Sequence, residues 1–174
     1  MADLLPNLGG ANGAIRRGWH EYTNYKVVHE NASDSLMREG LITSNSVRFL
    51  ESALHGRLVK VNVRGRVVTA NGAEITVNKW LKAQQGEQGR DEVKTSEYDY
   101  HAIIRHPDGT TQSIFRYDNC HGDVETLHRH HYDIDGDEDR EHEEAIAHDA
   151  MPVLDVVIRE ADDLAAWLAA LARN

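Results

Sequence analysis

Arg57-Leu58-Val59-Lys60-Val61-Asn62-Val63-Arg64-Gly65-Arg66-Val67-Val68-Thr69-Ala70-Asn71-Gly72-Ala73-Glu74-Ile75-Thr76-Val77-Asn78 decides the fold. Apolar and β-branched residues recur here with a period of two, as a strand with one buried face requires. Asn71-Gly72 interrupts the alternation with a strong two-residue hairpin signal, because both residues tolerate a left-handed backbone. Ile75 and Val77, with Trp80 beyond them, alternate against Thr76 and Asn78 on the returning strand. Gly65 marks a bulge or a twist in the first strand.

Toward the C-terminus, 84–91 reads as a polar loop and 92–106 as a third strand through Tyr98, Tyr100 and Ala102. Pro107-Asp108-Gly109 is a turn, and 110–117 returns as a fourth strand. Strands joined by such tight connections make an antiparallel meander rather than a parallel sheet. Past Asp118 the alternation stops: 119–132 reads as a histidine-rich loop, and 134–144 as an acidic surface insertion or frayed helix. A further strand is expected over 151–158. Asp162 and Asp163 suit the positive end of a last helix whose Leu164, Trp167, Leu168 and Leu171 cover one side of the sheet.

Toward the N-terminus, the first eighteen residues read as an arm, and 19–28 as a short strand or irregular cover. Ser33 suits the cap of a helix over 34–40. Ser44 or Ser46 suits the cap of a second, with Val47, Leu50 and Leu54 as its stripe and Gly56 as its C-cap. The expected fold is α+β: a meander of four or five strands packed against a C-terminal helix, with an N-terminal helical segment. Residues 1–55 form an arm and helical segment packed on the same domain, and 56–174 form the α+β domain itself.

A chain of 174 residues with 40% hydrophobic and 28% charged residues has the length and composition of one globular domain. No run approaches the ~20 apolar residues of a membrane span, and the first ten residues lack the pattern of a signal peptide. The single cysteine, Cys120, excludes an intrachain disulfide and a cysteine-based zinc site. A cytoplasmic protein without membrane association is expected. The formal charge of −10 argues against a uniformly basic surface for nucleic acid. Residues 57–82 are nonetheless net basic, with Arg57, Lys60, Arg64, Arg66, Lys79 and Lys82 against Glu74 alone. They mark either a partner-facing sheet or an ordinary solvated one.

Eight of the 11 histidines fall between His101 and His148, and the densest polar run is 116–133. Histidine titrates near neutrality without environmental help, which suits general acid–base work or metal ligation. His128 and His130, two apart, share one side of an extended backbone. With Asp118 or His121 they would supply an open site for a divalent ion such as Zn, Mn or Ni. A metal-free reading uses the same residues for RNA cleavage through the 2′-hydroxyl. His121 and one of His128 or His130 then form the acid–base pair, Arg116 and Arg129 hold phosphate, and Asp118 orients a histidine. Tyr117, Asn119 and Tyr132 are the remaining substrate-binding candidates. A structural reading makes Arg116–Asp118 an ion pair at a sheet edge and Asn119 the cap of a turn. His20, His29, His55 and His106 carry no assigned role, and no motif frames Cys120 as a nucleophile.

Residues from about 57 onward resemble the TumE-type toxins of prokaryotic toxin–antitoxin systems. The likeness runs through Val67-Val68, Ala73-Glu74-Ile75, Tyr98-Asp99-Tyr100-His101 and the Pro107-Asp108-Gly109 turn. It continues through Phe115-Arg116-Tyr117-Asp118-Asn119, His121 and His128-Arg129-His130. Where that family carries two adjacent histidines after the Asn, Cys120 here precedes the single His121. The resemblance implies a growth-inhibiting protein neutralised by an antitoxin partner; the Arg/His/Asp/Tyr set adds RNA as the expected substrate of a ribonuclease-type activity without a required cofactor. The alternative is a non-catalytic domain whose histidine-rich segment binds a metal or a partner, with homo-oligomerisation a further option. A third reading has the acidic 133–144 stretch mimic nucleic acid toward a basic partner.

Overall fold

The computed structural model describes residues 18–119, 127–132, 141–146 and 152–173. In chain order its elements are β1 (His20–Glu21), α1 (Tyr22–Arg38), β2 (Ile42–Asn45), β3 (Arg48–Leu54), β4 (Arg57–Thr69) and β5 (Ala73–Gln85). There follow β6 (Asp91–Arg105), β7 (Thr111–Asp118), β8 (Leu127–Tyr132), β9 (Glu141–Ile146) and α2 (Leu154–Leu171). The strands form one antiparallel sheet in the order β2-β4-β5-β6-β7-β8-β9, with β3 also beside β4 and β1 beside β6. The α+β meander expected from the alternating sequence is therefore present. It runs further than expected, because 127–132 and 141–146 are strands and not loop or frayed helix. Of the arm expected over the first eighteen residues, 1–17 lie outside the described residues, as do 120–126 and 133–140.

The N-terminal helical segment exists but sits elsewhere. One helix, α1, runs through Ser33 without a break, because Tyr22, Tyr25 and Leu36 bury a common stripe. It ends at Gly40, whose φ of 73° only glycine adopts cheaply. The second helix expected after Ser44 is replaced by the edge strands β2 and β3. Leu50 and Leu54 are 39% and 60% exposed, so the apparent stripe has nothing to bury against. Gly56 caps no helix: with His55 it forms the two-residue β3–β4 turn, both at positive φ (51° and 76°). Gly65 is not a bulge, since the β4–β5 ladder passes through Gly65↔Val77 without a shift. A Cβ there would stand 2.5 Å from the Ser46 carbonyl oxygen and 2.6 Å from the Val47 Cα. Glycine lets the β2–β3 corner lie directly on β4.

The Asn71-Gly72 hairpin forms, with Ala70 included in its loop and Gly72 at φ 90°. Its tip is tied to α2: the Asn71 backbone N–H and side-chain amide donate to the two carboxylate oxygens of Asp162, both at 2.8 Å. Asp162 lies in the middle of α2 and not at its start, because the helix begins at Leu154 and takes up most of the 151–158 stretch expected as a strand. Its core face is Val157, Ile158, Ala161 and Ala165, whereas Trp167 and Leu171 are each half exposed. Burying side chains the size of Val157 and Ile158 contributes about 1.5–3 kcal/mol each.

Both helices cover the same face of the sheet. α2 packs over Val67, Ile75, Val77, Tyr98, Tyr100, Ala102, Phe115 and Tyr117; α1 packs over Val61, Val63, Leu81 and Val93. Lys79, counted above among the basic residues of 57–82, lies on this covered face, between the two clusters, and is only 7% exposed. Its ammonium lies 5.3 Å from the centre of the Tyr25 ring. Beside it, burial first and Lys79 second push the His29 imidazole down to about 3. Trp80, expected among the alternating core residues, falls on the opposite face.

Candidate functional site

Alternation along β4 to β7 sends Asn62, Arg64, Arg66, Thr76, Asn78, Trp80, Asp99, His101, Arg116 and Asp118 to the face that the helices leave uncovered. The register sorts them into rows across the strands. One row reads Arg64, Asn78, Asp99, Asp118; the next reads Arg66, Thr76, His101, Arg116. At the β7 end of these rows lies the polar cluster that the sequence singled out.

Arg116 is its centre. The guanidinium donates through Nε and a terminal nitrogen to the two Asp99 oxygens, each at 3.2 Å. The same Nε lies 3.1 Å from Asp118 Oδ2. The two carboxylates differ in environment: the Asp99 side chain is 30% exposed, whereas that of Asp118 is fully buried. A buried carboxylate needs compensating partners, and the Arg116 guanidinium is one of them for Asp118. In the row of Arg116, His101 Nε2 is 3.0 Å from Ser113 Oγ. Strand β8 then pairs residue for residue with β7: His128 opposite Asp118, Arg129 opposite Tyr117, His130 opposite Arg116. Positions 128 and 130 thereby extend the Asp118 and Arg116 rows by one strand.

The remaining sequence candidates are distributed differently. Tyr117 is buried on the helix-covered face, where its hydroxyl donates to Glu160 Oε2 at 2.8 Å. That places its side chain on the opposite side of the sheet from Arg116. Asn119 continues the β6–β7 ladder: its N–H donates to the Tyr98 carbonyl at 3.3 Å, and its Oδ1 accepts from the Tyr98 N–H at 2.8 Å. Its side-chain amide donates to the Ser96 carbonyl at 3.2 Å, so its polar groups close the end of the β6–β7 ladder. Tyr132 ends β8 opposite Glu141. His121 and Cys120 lie outside the described residues. Asp99 and His101 were given no role from sequence; the alternation of Tyr98 and Tyr100 toward the core already placed them on the other face.

For a divalent ion, the candidate ligands are His121, His128, His130 and Asp118. Among the described residues no group of three or more His, Cys, Asp or Glu stands close enough to hold one. Asp118 engages Arg116 through Oδ2, a contact that metal ligation by that oxygen would have to displace. No helix among the described residues is long and apolar enough to cross a membrane.

Fold and site define a class: an α+β protein with an antiparallel sheet, helices on one face and a charged His/Arg/Asp cluster on the other. Beyond the class, the chain matches no family model, no curated protein and no solved structure.

Proposed function

We propose that this chain acts on RNA, and more narrowly that it is the toxin of a toxin–antitoxin pair of the TumE type. The observation that carries the reading is the ladder between β7 and β8. It sets His128 and His130 in the rows of Asp118 and Arg116, so the two clusters quoted for the resemblance meet in one place. In this reading one histidine takes the proton of a ribose 2′-hydroxyl, whose oxygen attacks the adjacent phosphorus. The other histidine protonates the departing 5′-oxygen as the P–O bond breaks. Asp118 fixes the tautomer of His128, the part a buried carboxylate plays in a catalytic triad. Arg116, paired with Asp99 and Asp118, is a positioning residue for the Asp118 carboxylate. His121 is the alternative partner for one of the two histidines in the acid–base pair, whereas position 129, opposite Tyr117, alternates to the other face of the sheet. An antitoxin partner masks it in the cell, and the site of action is the cytoplasm.

Growth of a host expressing the chain tests the proposal. Wild type is expected to arrest growth, while His128→Ala/His130→Ala at equal abundance does not. Equal arrest by both would remove the site from the account.

A further inference from the structure

The face of the sheet that bears the candidate site carries a second feature. Strand register places Lys60 opposite Lys82, and Lys82 opposite Lys94, so three lysines stand side by side across β4, β5 and β6. Arg48 and Arg64 stand opposite each other four residues further along β4. Like charges directly opposite on one face destabilise a sheet, and a fold has no packing reason to line them up. Ordinary sheets interleave carboxylates at such places, as Glu74 does here between Arg66 and Arg105. The five cations are exposed, and among the described residues none of them makes an ion pair. Glu97, opposite Trp80, and Glu92, opposite Gln84, are the nearest acidic positions on this face of β6.

Between the two cationic rows lie Leu50, Asn62, Trp80 and Glu97. The Lys60 ammonium sits 3.7 Å above the centre of the Trp80 ring. A cation–π contact orders a lysine without neutralising it, whereas a carboxylate would do both. Asn62 and Asn78, joined side chain to side chain at 3.0 Å, add polar groups to the same strip. The Arg48–Arg64 row continues through Asn78 and Asp99 to Asp118. With strands about 4.8 Å apart, Arg64 and Asp118 are separated by about 14 Å, the reach of a few nucleotides.

We propose that Lys60, Lys82, Lys94, Arg48 and Arg64 form a phosphate-binding track for single-stranded RNA that leads into the Arg116–Asp118 site. The proposal rests on the RNA reading above and adds where the strand is held. A chain of formal charge −10 repels RNA overall, so a local patch of five uncompensated cations decides where RNA touches it. An extended single strand can follow cations set across neighbouring strands, and Trp80 offers a ring at the track's centre.

The test is equilibrium binding of a fluorescein-labelled single-stranded RNA to the full chain across a salt series. His128→Ala/His130→Ala serves as background, so that cleavage does not interfere. The comparison is the same background with Lys60→Gln/Lys82→Gln/Lys94→Gln. A control background carries Lys26→Gln/Arg38→Gln/Arg173→Gln, an equal charge change away from the track. The triple-lysine variant should bind at least tenfold more weakly, with a log–log salt slope smaller by about 2, roughly 0.7 per phosphate contact. The control should change the slope by much less. Thermal unfolding should show the triple-lysine variant at least as stable as its parent, because like-charge contacts are relieved. Equal affinity and slope for the two triple variants would overturn the track. So would tighter binding of polyglutamate than of RNA, which would make the strip an acidic-peptide surface. RNA binding lost only with the lysines, in a chain that does not arrest growth, would support the track while removing the toxin reading.

Discussion

Asp99 and Asp118 share one guanidinium and look interchangeable in sequence, yet the structure makes them unequal. Asp99 is partly in water, where an ion pair contributes about 0–1 kcal/mol. Asp118 is fully buried, and taking its cation away leaves a charge in the interior at a cost of about 3–5 kcal/mol. Arg116→Met is therefore expected to lower the urea midpoint far more than Asp99→Asn does. Equal midpoints for the two variants would mean that Asp118 is not held by Arg116. At this scale the sequence was legible in part. Arg116–Asp118 is the ion pair that the structural reading described, whereas Asn119, read there as the cap of a turn, bonds across to Tyr98 and Ser96 of β6. Tyr117 was misread as a site residue because proximity in sequence hides the fact that adjacent strand residues face opposite ways. Lys79 was misread in the same manner, its charge outweighing an alternation that places it with Val77 and Leu81.

Elements were legible where the period of two was strong and the turns were rich in glycine. The hairpins β4–β5 and β6–β7 formed at the Asn71-Gly72 and Pro107-Asp108-Gly109 turns. Between residues 42 and 54 the spacing of Val47, Leu50 and Leu54 imitates a helix. The segment is an edge strand, partly exposed on both sides, so its apolar residues carry little information about burial. The β8 strand was hidden because His128-Arg129-His130-His131 has no apolar alternation; backbone pairing with β7 and β9 makes it a strand. Val153, Leu154, Val156, Val157 and Ile158 are β-branched or apolar enough for a strand, yet Leu154, Val157, Ile158 and Ala161 are also a helical stripe, and the tertiary cluster chose the helix. Gly65 offers the test at this scale. Gly65→Ala puts a methyl against the Ser46–Val47 backbone, which cannot yield as a flexible side chain would. The substitution should cost more than about 1 kcal/mol in urea unfolding. It should also speed amide exchange at Ser46, whose N–H donates to the Arg66 carbonyl at 2.9 Å. An unchanged exchange rate at Ser46 would show that the corner is not seated on Gly65.

For the molecule as a whole, the division of labour lies between the two faces of one sheet. The helices, the tyrosines and nearly all of the apolar core take one face. The other face collects Arg116, Asp118, Asp99, His101 and the cationic rows. Sequence located the polar cluster after β7 because dense charge following a strand has no packing purpose. It did not show that Asp99 and His101 share that face with Lys60, Arg64, Arg66 and Lys82, since that follows from the register of four strands and from two bulges. An overall charge of −10 likewise concealed a surface whose local sign is positive. The account stands on RNA chemistry at the β7–β8 ladder, and the most direct measurement is cleavage of a single-stranded RNA by purified full-length protein. Wild type should cut it, and His128→Ala/His130→Ala should cut at least a hundredfold more slowly while binding it with unchanged affinity. Intact RNA with wild type, with or without added divalent metal, or equal cutting by the variant, would contradict the central claim.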